Sequence, residues 1–574
     1  MIKTILKFKK HVSHNNILDY YKVILISLFA AFAELLTISS IIPFVSAIFN
    51  LNRVRTQILS LIGLNTNILS DNELILTLIV IFIFLVVFGT FVRVYLQKKV
   101  VSLSYNIGFN ISTKLFDKLI FQSYDEYVKL NSSVIISNIT NKTNAIIGNV
   151  IMPFIVLSSS FFLISSILFF LLYLSPKIAI FAFLYFFIIY FFIGRFLKKK
   201  LNNNSVIMAI SSDKIVSYIQ ESTSNFRDIY LYNLQTTIIN SFNNVENDYR
   251  KSQSSNAFLT SSPRYMVESF GIIFLIMMSV YFYFSEDQQL DKAMPLIAGF
   301  AFGSQKLIPI FQQIYISWSN YNGSKRIFQD VFYFLNKKTF KEDPNLYLKD
   351  FKFSKKITLQ NISFGFNNEN SLFENISVEI KKGQRICIRG ESGIGKSTLV
   401  DILIGFIKPT KGKVLFDGTS SKNISPSYIK SLISNVPQNI FISNNSIIQN
   451  IATGVNIKDI DLSKVKRLIK QVSLDKWVSN LPMGLETILS ENGKNLSGGQ
   501  KQRIGIARSL YKDPQIIIFD EATSSLDTKT EKIIVDTINN ISTDITIIFI
   551  THDTNFLPNY DRSFKLINKK IIEL

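Results

Sequence analysis

Three long stretches of this chain carry no charged residue at all, and that restricts the fold before anything else does. Leu74–Val92, Val150–Pro176 and Ile178–Gly194 contain no Asp, Glu, Lys or Arg. Three more apolar runs are broken by a single ionisable residue each: Val23–Phe49 by Glu34, Met266–Phe284 by Glu268, and Ala293–Trp318 by Lys306. Crossing a hydrocarbon core takes about 20 apolar helical residues, and backbone polar groups in lipid must be satisfied within the segment. The pattern therefore predicts six membrane-spanning helices, at about 23–49, 74–95, 147–174, 177–196, 266–284 and 293–318. The two long gaps, Tyr95–Thr143 and Phe196–Tyr265, are polar and heptad-like rather than Gly/Ser-rich. Helices projecting beyond the bilayer are expected there.

The net charge of +21 accompanies a chain that is 48% hydrophobic. In a membrane protein such an excess reflects Lys and Arg on cytoplasmic segments and contact with anionic lipid, so nucleic acid is not an expected partner. Cys387 is the only cysteine, and His11, His14 and His552 are the only histidines. An intramolecular disulfide and a Cys- or multi-His metal cluster are excluded. The basic segment Met1–Lys10 is followed by no short apolar stretch with a small-residue cleavage site, so the first apolar run is expected to be retained as a span. Beyond about residue 338 the pattern changes to short apolar runs, Gly turns and helical stretches, which reads as α/β. The expected organisation is a membrane domain over 1–330, a linker over 331–345 and an α/β domain over 346–574.

Gly390-Glu391-Ser392-Gly393-Ile394-Gly395-Lys396-Ser397 matches the phosphate-binding pattern G-x-x-x-x-G-K-S/T at every fixed position, after a predicted strand and before a predicted helix. The glycines let backbone N–H groups converge on phosphates at a helix N-terminus. Lys396 is the expected partner of the β- and γ-phosphates of ATP, Ser397 of Mg²⁺, and Thr398 continues the nucleotide-binding turn. The strand Ile516–Phe519 ends in Asp520 and Glu521. That order suits one acid for Mg²⁺ and one base to orient the attacking water.

Between these motifs lies Leu496-Ser497-Gly498-Gly499-Gln500, which resembles the signature sequence of the ABC ATPase family. The resemblance implies an α-helical membrane domain of six transmembrane helices joined to an α/β P-loop NTPase domain of the ABC type, as in half-size exporters. It implies that Ser497, Gly498, Gly499 and Gln500 serve the γ-phosphate held by a second subunit. Gln438 matches the Q-loop residue that senses Mg²⁺, Ser524–Asp527 the D-loop, and His552 the switch histidine. Phe366 stands where the family stacks an aromatic, usually Tyr, on adenine. Ser490 for Gly, Ser525 for Ala and Asp553 for Arg depart from the family's commonest residues and remove no catalytic group. With Glu521 and His552 in the same chain, two copies form two competent sites, so a homodimer is expected. Tyr124–Val128 and roughly Glu221–Ile229 match the cytoplasmic coupling helices. The ATPase must lie where ATP is, which places it and the N-terminus in the cytoplasm.

For the cargo, Glu34–Pro43, Ser262–Gly271 and the ATPase resemble bacterial PglK-type flippases of lipid-linked oligosaccharides. The resemblance implies an inner-membrane protein whose cavity cations, here Arg93, Arg264 and Lys306, meet the pyrophosphate of a polyprenyl-linked glycan. Leu51–Leu64 matches that family's short external helix. A second reading of the cations stays open, in which Arg93 and Arg264 snorkel to the interface and Lys306 pairs with Glu268. Glu34 is read as a structural partner within the bundle. The alternative cargo is general: phospholipid, lipid A or amphipathic drugs.

Overall fold

A computed structural model describes residues 12–49, 51, 54–55, 70–284, 290–337, 339, 351–365, 371–391, 393–522, 528–551 and 559–574. The chain divides into two compact units, one of Met1–Gln122 with Lys129–Thr339, the other of Ser123–Val128 with Phe340–Leu574.

Among the described residues the first unit is all helix. Its longer helices are α1 (His14–Ile48), α2 (Asp71–Ile120), α3 (Ser132–Leu174), α4 (Pro176–Ser224), α5 (Gln235–Ser261), α6 (Pro263–Phe284), α7 (Leu290–Gly323) and α8 (Lys325–Leu335), with a short helix Phe226–Leu231 between α4 and α5. Among the described residues, α1 to α4 contain stretches long and apolar enough to cross a membrane. α6 and α7 cover the other two expected spans. At 1.5 Å per residue, the 50 residues of α2 extend about 75 Å, well beyond a core of about 30 Å. The same holds for the 49 residues of α4, so the polar gaps after spans two and four continue the helices. α8 occupies residues 325–335, so the first part of the expected linker is the end of a helix counted with the membrane unit.

Local irregularities have local causes. α1 is interrupted at Ser40, three residues before Pro43. The proline ring withdraws a donor from the carbonyl of Ser39 and crowds it. In α3 a π-helical stretch, Ile147–Ile151, ends two residues before Pro153, and a second covers Asn138–Lys142. The Thr143 hydroxyl donates to the Asn138 carbonyl at 2.7 Å, satisfying an acceptor the wider turn exposes.

Side chains within the bundle bond across helices at several levels. The Tyr20 hydroxyl joins Ser158 at 2.9 Å, and Tyr315 donates to the Leu259 carbonyl at 2.8 Å. Lys142, only 1% exposed, meets Asp213 of α4 at 2.8 Å and Asp330 of α8 at 3.1 Å.

Among the described residues the second unit has two sheets. β1 (Lys356–Phe364), β2 (Phe373–Lys381), β4 (Lys411–Phe416) and β5 (Thr419–Ser420) form an antiparallel sheet in the order β2-β1-β4-β5. β3 (Arg385–Arg389), β6 (Ile433–Val436), β7 (Ile516–Asp520), β8 (Thr546–Thr551), β9 (Arg562–Ile567) and β10 (Lys570–Glu573) form a sheet in the order β10-β9-β3-β8-β7-β6, parallel except at the β9–β10 edge. All six residues of β8 and the first four of β7 are buried, as a parallel sheet covered on both faces requires. The helices that matter for function are α9 (Lys396–Ile404) and α10 (Gly498–Tyr511).

Candidate functional site

β3, β8, β7 and β6 are adjacent and parallel, so the segments that leave their C-terminal ends all emerge at one edge of the sheet. Ligands of open α/β sheets bind at that edge. The loop after β3 is the phosphate-binding motif. Gly393 and Gly395 adopt φ of +81° and +102°. A Cβ on Gly395 would lie 2.8 Å from Leu372 Cδ2 and 2.9 Å from Phe373 Cζ, so the position requires glycine both for its dihedral and for space. α9 then starts with Lys396, whose Nζ donates to the carbonyls of Gly390 at 2.8 Å and Glu391 at 3.0 Å. Ile394 packs on the core below, and Thr398 lies in the first turn of α9.

The end of β7 brings the acids to the same place. Glu521 lies 3.7 Å from Lys396 and accepts a hydrogen bond from Gln438 Nε2 at 2.9 Å. Its backbone is left-handed, at φ +49°, and its N–H is tied to the Ile550 carbonyl at 2.9 Å. Such a conformation costs about 1–2 kcal/mol for a residue with a side chain, and it aims the carboxylate at Lys396 and Gln438. Asp520 sits beside Ser397. Burial pushes its carboxyl above the usual carboxylate range and the neighbouring Glu521 charge adds to this, against the Ser397 hydrogen bond and the Lys396 charge. A hydroxyl and a half-buried carboxylate in mutual contact are hard oxygen donors that fit Mg²⁺. Gln438 is bonded to Glu521 rather than to Asp520, so its hydrogen bond does not place it on the expected metal ligands.

The signature segment is built around a helix start. Ser497 caps α10: its hydroxyl accepts from Gln500 N–H at 3.3 Å, and Gln500 Oε1 accepts from Ser497 N–H at 2.9 Å. A Cβ on Gly499 would lie 2.2 Å from Thr530 Cγ2, so any larger residue has to displace the Thr530 side chain. The first N–H groups of a helix have no intrahelical acceptor and form an anion site. Among the described residues, no hydrogen bond joins Ser497–Gln500 to Gly390–Thr398. Phe366, Ser392, Ser524–Asp527, His552 and Asp553 lie outside the described residues, as do His11 and most of Leu51–Leu64. His14 is exposed at the start of α1. Within the second unit, Tyr124 of the segment Ser123–Val128 packs on Phe406, ring centroids 5.0 Å apart. Burial raises its hydroxyl pKa, with help from Asp401 and Tyr127.

Gln502 escaped the motif reading. It is buried on α10, and its Nε2 donates to the Gln438 carbonyl at 2.9 Å. A polar residue on the inner face of the helix four positions after Gly498 was the available signal. Replacing Gln502 by Leu is expected to lower kcat for ATP about tenfold, the loss of one charge-orienting hydrogen bond relayed through Gln438, with KM changed less than twofold. Steady-state phosphate release measures both.

In the membrane unit the three expected cations do not converge. Lys306 meets Glu34 at 3.0 Å and Arg93 reaches the same carboxylate oxygen at 4.0 Å. Lys306, Arg93 and Glu34 line a cavity of about 420 Å³ with Thr90, Gln97 and Gln313. Arg264 is not among its lining residues. Its guanidinium is exposed and pairs with Glu268 one turn on, at 2.7 Å. Glu268 is thus Arg264's partner, and Lys306 pairs with Glu34 instead. The reason is helical spacing: Arg264 and Glu268 are four apart on one helix face.

Comparison with known proteins agrees with both units. Residues 21–301 match the family model of the ABC transporter transmembrane region, and residues 373–524 match that of the ABC transporter. The chain is 33% identical over 245 residues to an ATP-dependent lipid A-core flippase of Francisella novicida, covering 43% of this chain and 41% of that protein. It is 29% identical over 387 residues to the protein of the same name from Francisella tularensis, covering 66% and 62%. An ATM1-type heavy metal exporter of Novosphingobium aromaticivorans is 34% identical over 217 residues, 38% of this chain and 35% of that one. The chain thus spans less than two thirds of the length of these curated relatives. A solved bacterial Atm1-family ABC exporter with ATP bound superposes with a TM-score of 0.77 at 20% identity, over 97% of this chain and 94% of that one, which shows the shared fold. The chain belongs to the ABC transporter family, with its transmembrane region and its ATPase domain in one polypeptide.

Proposed function

We propose that two copies of this chain form an ATP-driven exporter that moves a lipid with an anionic, glycan-bearing head, of the polyprenyl-pyrophosphate oligosaccharide kind, across a bacterial inner membrane. The observation that carries this reading is a cavity holding Arg93 and Lys306 among helices of membrane-spanning length, on the same chain as the ATPase. Ionisable groups within spans are costly and tend to mark substrate paths. The ATPase domain and the N-terminus are assigned to the cytoplasm, where ATP is.

Bound Mg-ATP supplies the phosphoryl group and neutralises part of its charge. Lys396, which donates to its own loop, would exchange those carbonyls for the phosphates, and Ser397 with Asp520 would hold the metal. Glu521 accepts a hydrogen bond from the attacking water, oriented by Gln438. Ser497 and the N–H groups of Gly498 and Gly499 complete the partner copy's site. His552 is assigned to the γ-phosphate and Phe366 to the adenine ring, both on the family resemblance. Ser123–Val128 is assigned to coupling, with Tyr124 seated on Phe406.

The names of the Francisella relatives favour a second cargo, lipid A. ATP-dependent flipping in proteoliposomes, with a polyprenyl-pyrophosphate oligosaccharide against lipid A, separates the two. The double variant Arg93→Gln/Lys306→Gln is expected to lose at least about 90% of flipping, given typical costs of removing charge-paired ligand contacts, while binding ATP as before. Undiminished flipping by this variant removes the cavity from the transport path.

A further inference from the structure

The cavity carries one feature that its cations alone do not explain, a buried carboxylate between them. Glu34 is 4% exposed, and one oxygen, Oε1, is shared by Lys306 at 3.0 Å and Arg93 at 4.0 Å. Neither contact has hydrogen-bond geometry at that oxygen. The group is therefore held by charge rather than by a directed bond. One carboxylate between two cations leaves a net positive charge in the cavity, and among the described residues no second acid pairs with Arg93 or Lys306. Lys306 also lies 5.6 Å over the Phe302 ring. Thr90, Gln97 and Gln313 add neutral hydrogen-bonding groups to the lining.

We propose that Glu34 is a resident counterion of a phosphate site: it engages Lys306 and Arg93 when the cavity is empty of lipid and yields them when a lipid phosphate enters. This rests on the lipid-export reading above. The physical logic is exchange. A bare pair of cations in a low-dielectric cavity is expensive, and a loosely held internal carboxylate keeps the unliganded bundle stable. The same carboxylate lowers apparent affinity, since a ligand binds only the fraction of molecules whose cations are free. Affinity is thereby kept low enough for release after the lipid has crossed. The lipid phosphate, not a free phosphate ion, is the expected ligand, because the site lies among apolar membrane helices.

The test uses the full chain in phosphatidylcholine nanodiscs, titrated with fluorescent phosphatidic acid and, as a control, with phosphatidylcholine carrying the same label. Glu34→Gln is expected to bind phosphatidic acid about tenfold more tightly than wild type, if the cations are free in roughly a tenth of molecules, and the control lipid equally. Glu34→Asp, which keeps the charge, is expected to bind phosphatidic acid within twofold of wild type. Unchanged or weaker binding by Glu34→Gln overturns the proposal, since it makes Glu34 a positioning group for the cations. So does tightening toward inorganic phosphate but not toward the lipid. A measurement on the wild type guards against misfolded variants: labelling of Glu34 by dicyclohexylcarbodiimide rises when phosphatidic acid displaces it, and protection instead sinks the idea. Wild-type flipping, measured in parallel, separates the two claims. Tightening in a protein that flips no lipid upholds the counterion and removes the export reading, and flipping with no tightening does the reverse.

Discussion

Replacing Glu521 by Gln is expected to cut ATP turnover by roughly 10²- to 10⁴-fold, the usual contribution of a general base, while leaving ATP binding intact. The substitution is nearly isosteric, so Gln438 keeps an acceptor where it now bonds at 2.9 Å, and the left-handed backbone tied to Ile550 is undisturbed. What disappears is the charge 3.7 Å from Lys396 and the basicity toward water. The variant is expected to accumulate as an ATP-bound closed dimer. Phosphate release, with binding of a fluorescent ATP analogue and size-exclusion with light scattering, checks all three statements. Turnover within threefold of wild type would place the base elsewhere.

The second large effect concerns stability. Lys142→Met is expected to destabilise the membrane unit by about 3 kcal/mol, the lower end of the cost of breaking a buried pair. The lower end applies because Asp330 retains Arg326 at 3.2 Å. Among the described residues Asp213 has no such reserve. Its Oδ2 takes Lys142 at 2.8 Å, and its Oδ1 is buried with no hydrogen-bond partner. Removing Lys142 strands that carboxylate between α3 and α4. The double variant Lys142→Met/Asp213→Leu is therefore expected to regain most of the loss, since a well-packed apolar pair can replace a buried ion pair at little cost. Thermal unfolding in detergent measures both. A single variant that unfolds at the wild-type temperature would show that solvent reaches the cluster.

The two predictions sit at opposite ends of what could be read from the chain. Phosphate chemistry demands convergent N–H groups, a lysine and a hydroxyl within one turn. Gly390–Thr398 therefore had to be contiguous and was visible as a motif, and Asp520 and Glu521 were visible at the end of an apolar strand. The spans were visible for an equally local reason, because each helix must satisfy its own backbone in lipid.

Pairings across helices left no such trace. Glu34 lies 272 positions from Lys306 in sequence and 3.0 Å in space. Lys142 gathers Asp213 and Asp330 from two other helices. Arg264, which shared its sequence setting with the other membrane cations, turned to Glu268 on its own helix. Gln502 became meaningful only when α10 was laid beside the Gln438 carbonyl.

Local rules of hydropathy, capping and phosphate binding thus determined from sequence alone that the chain spans a membrane and carries an ATP-binding engine. Which charge faces which depends on the rotation and register of packed helices, set by side-chain interdigitation over the whole bundle, and only the tertiary structure decided that.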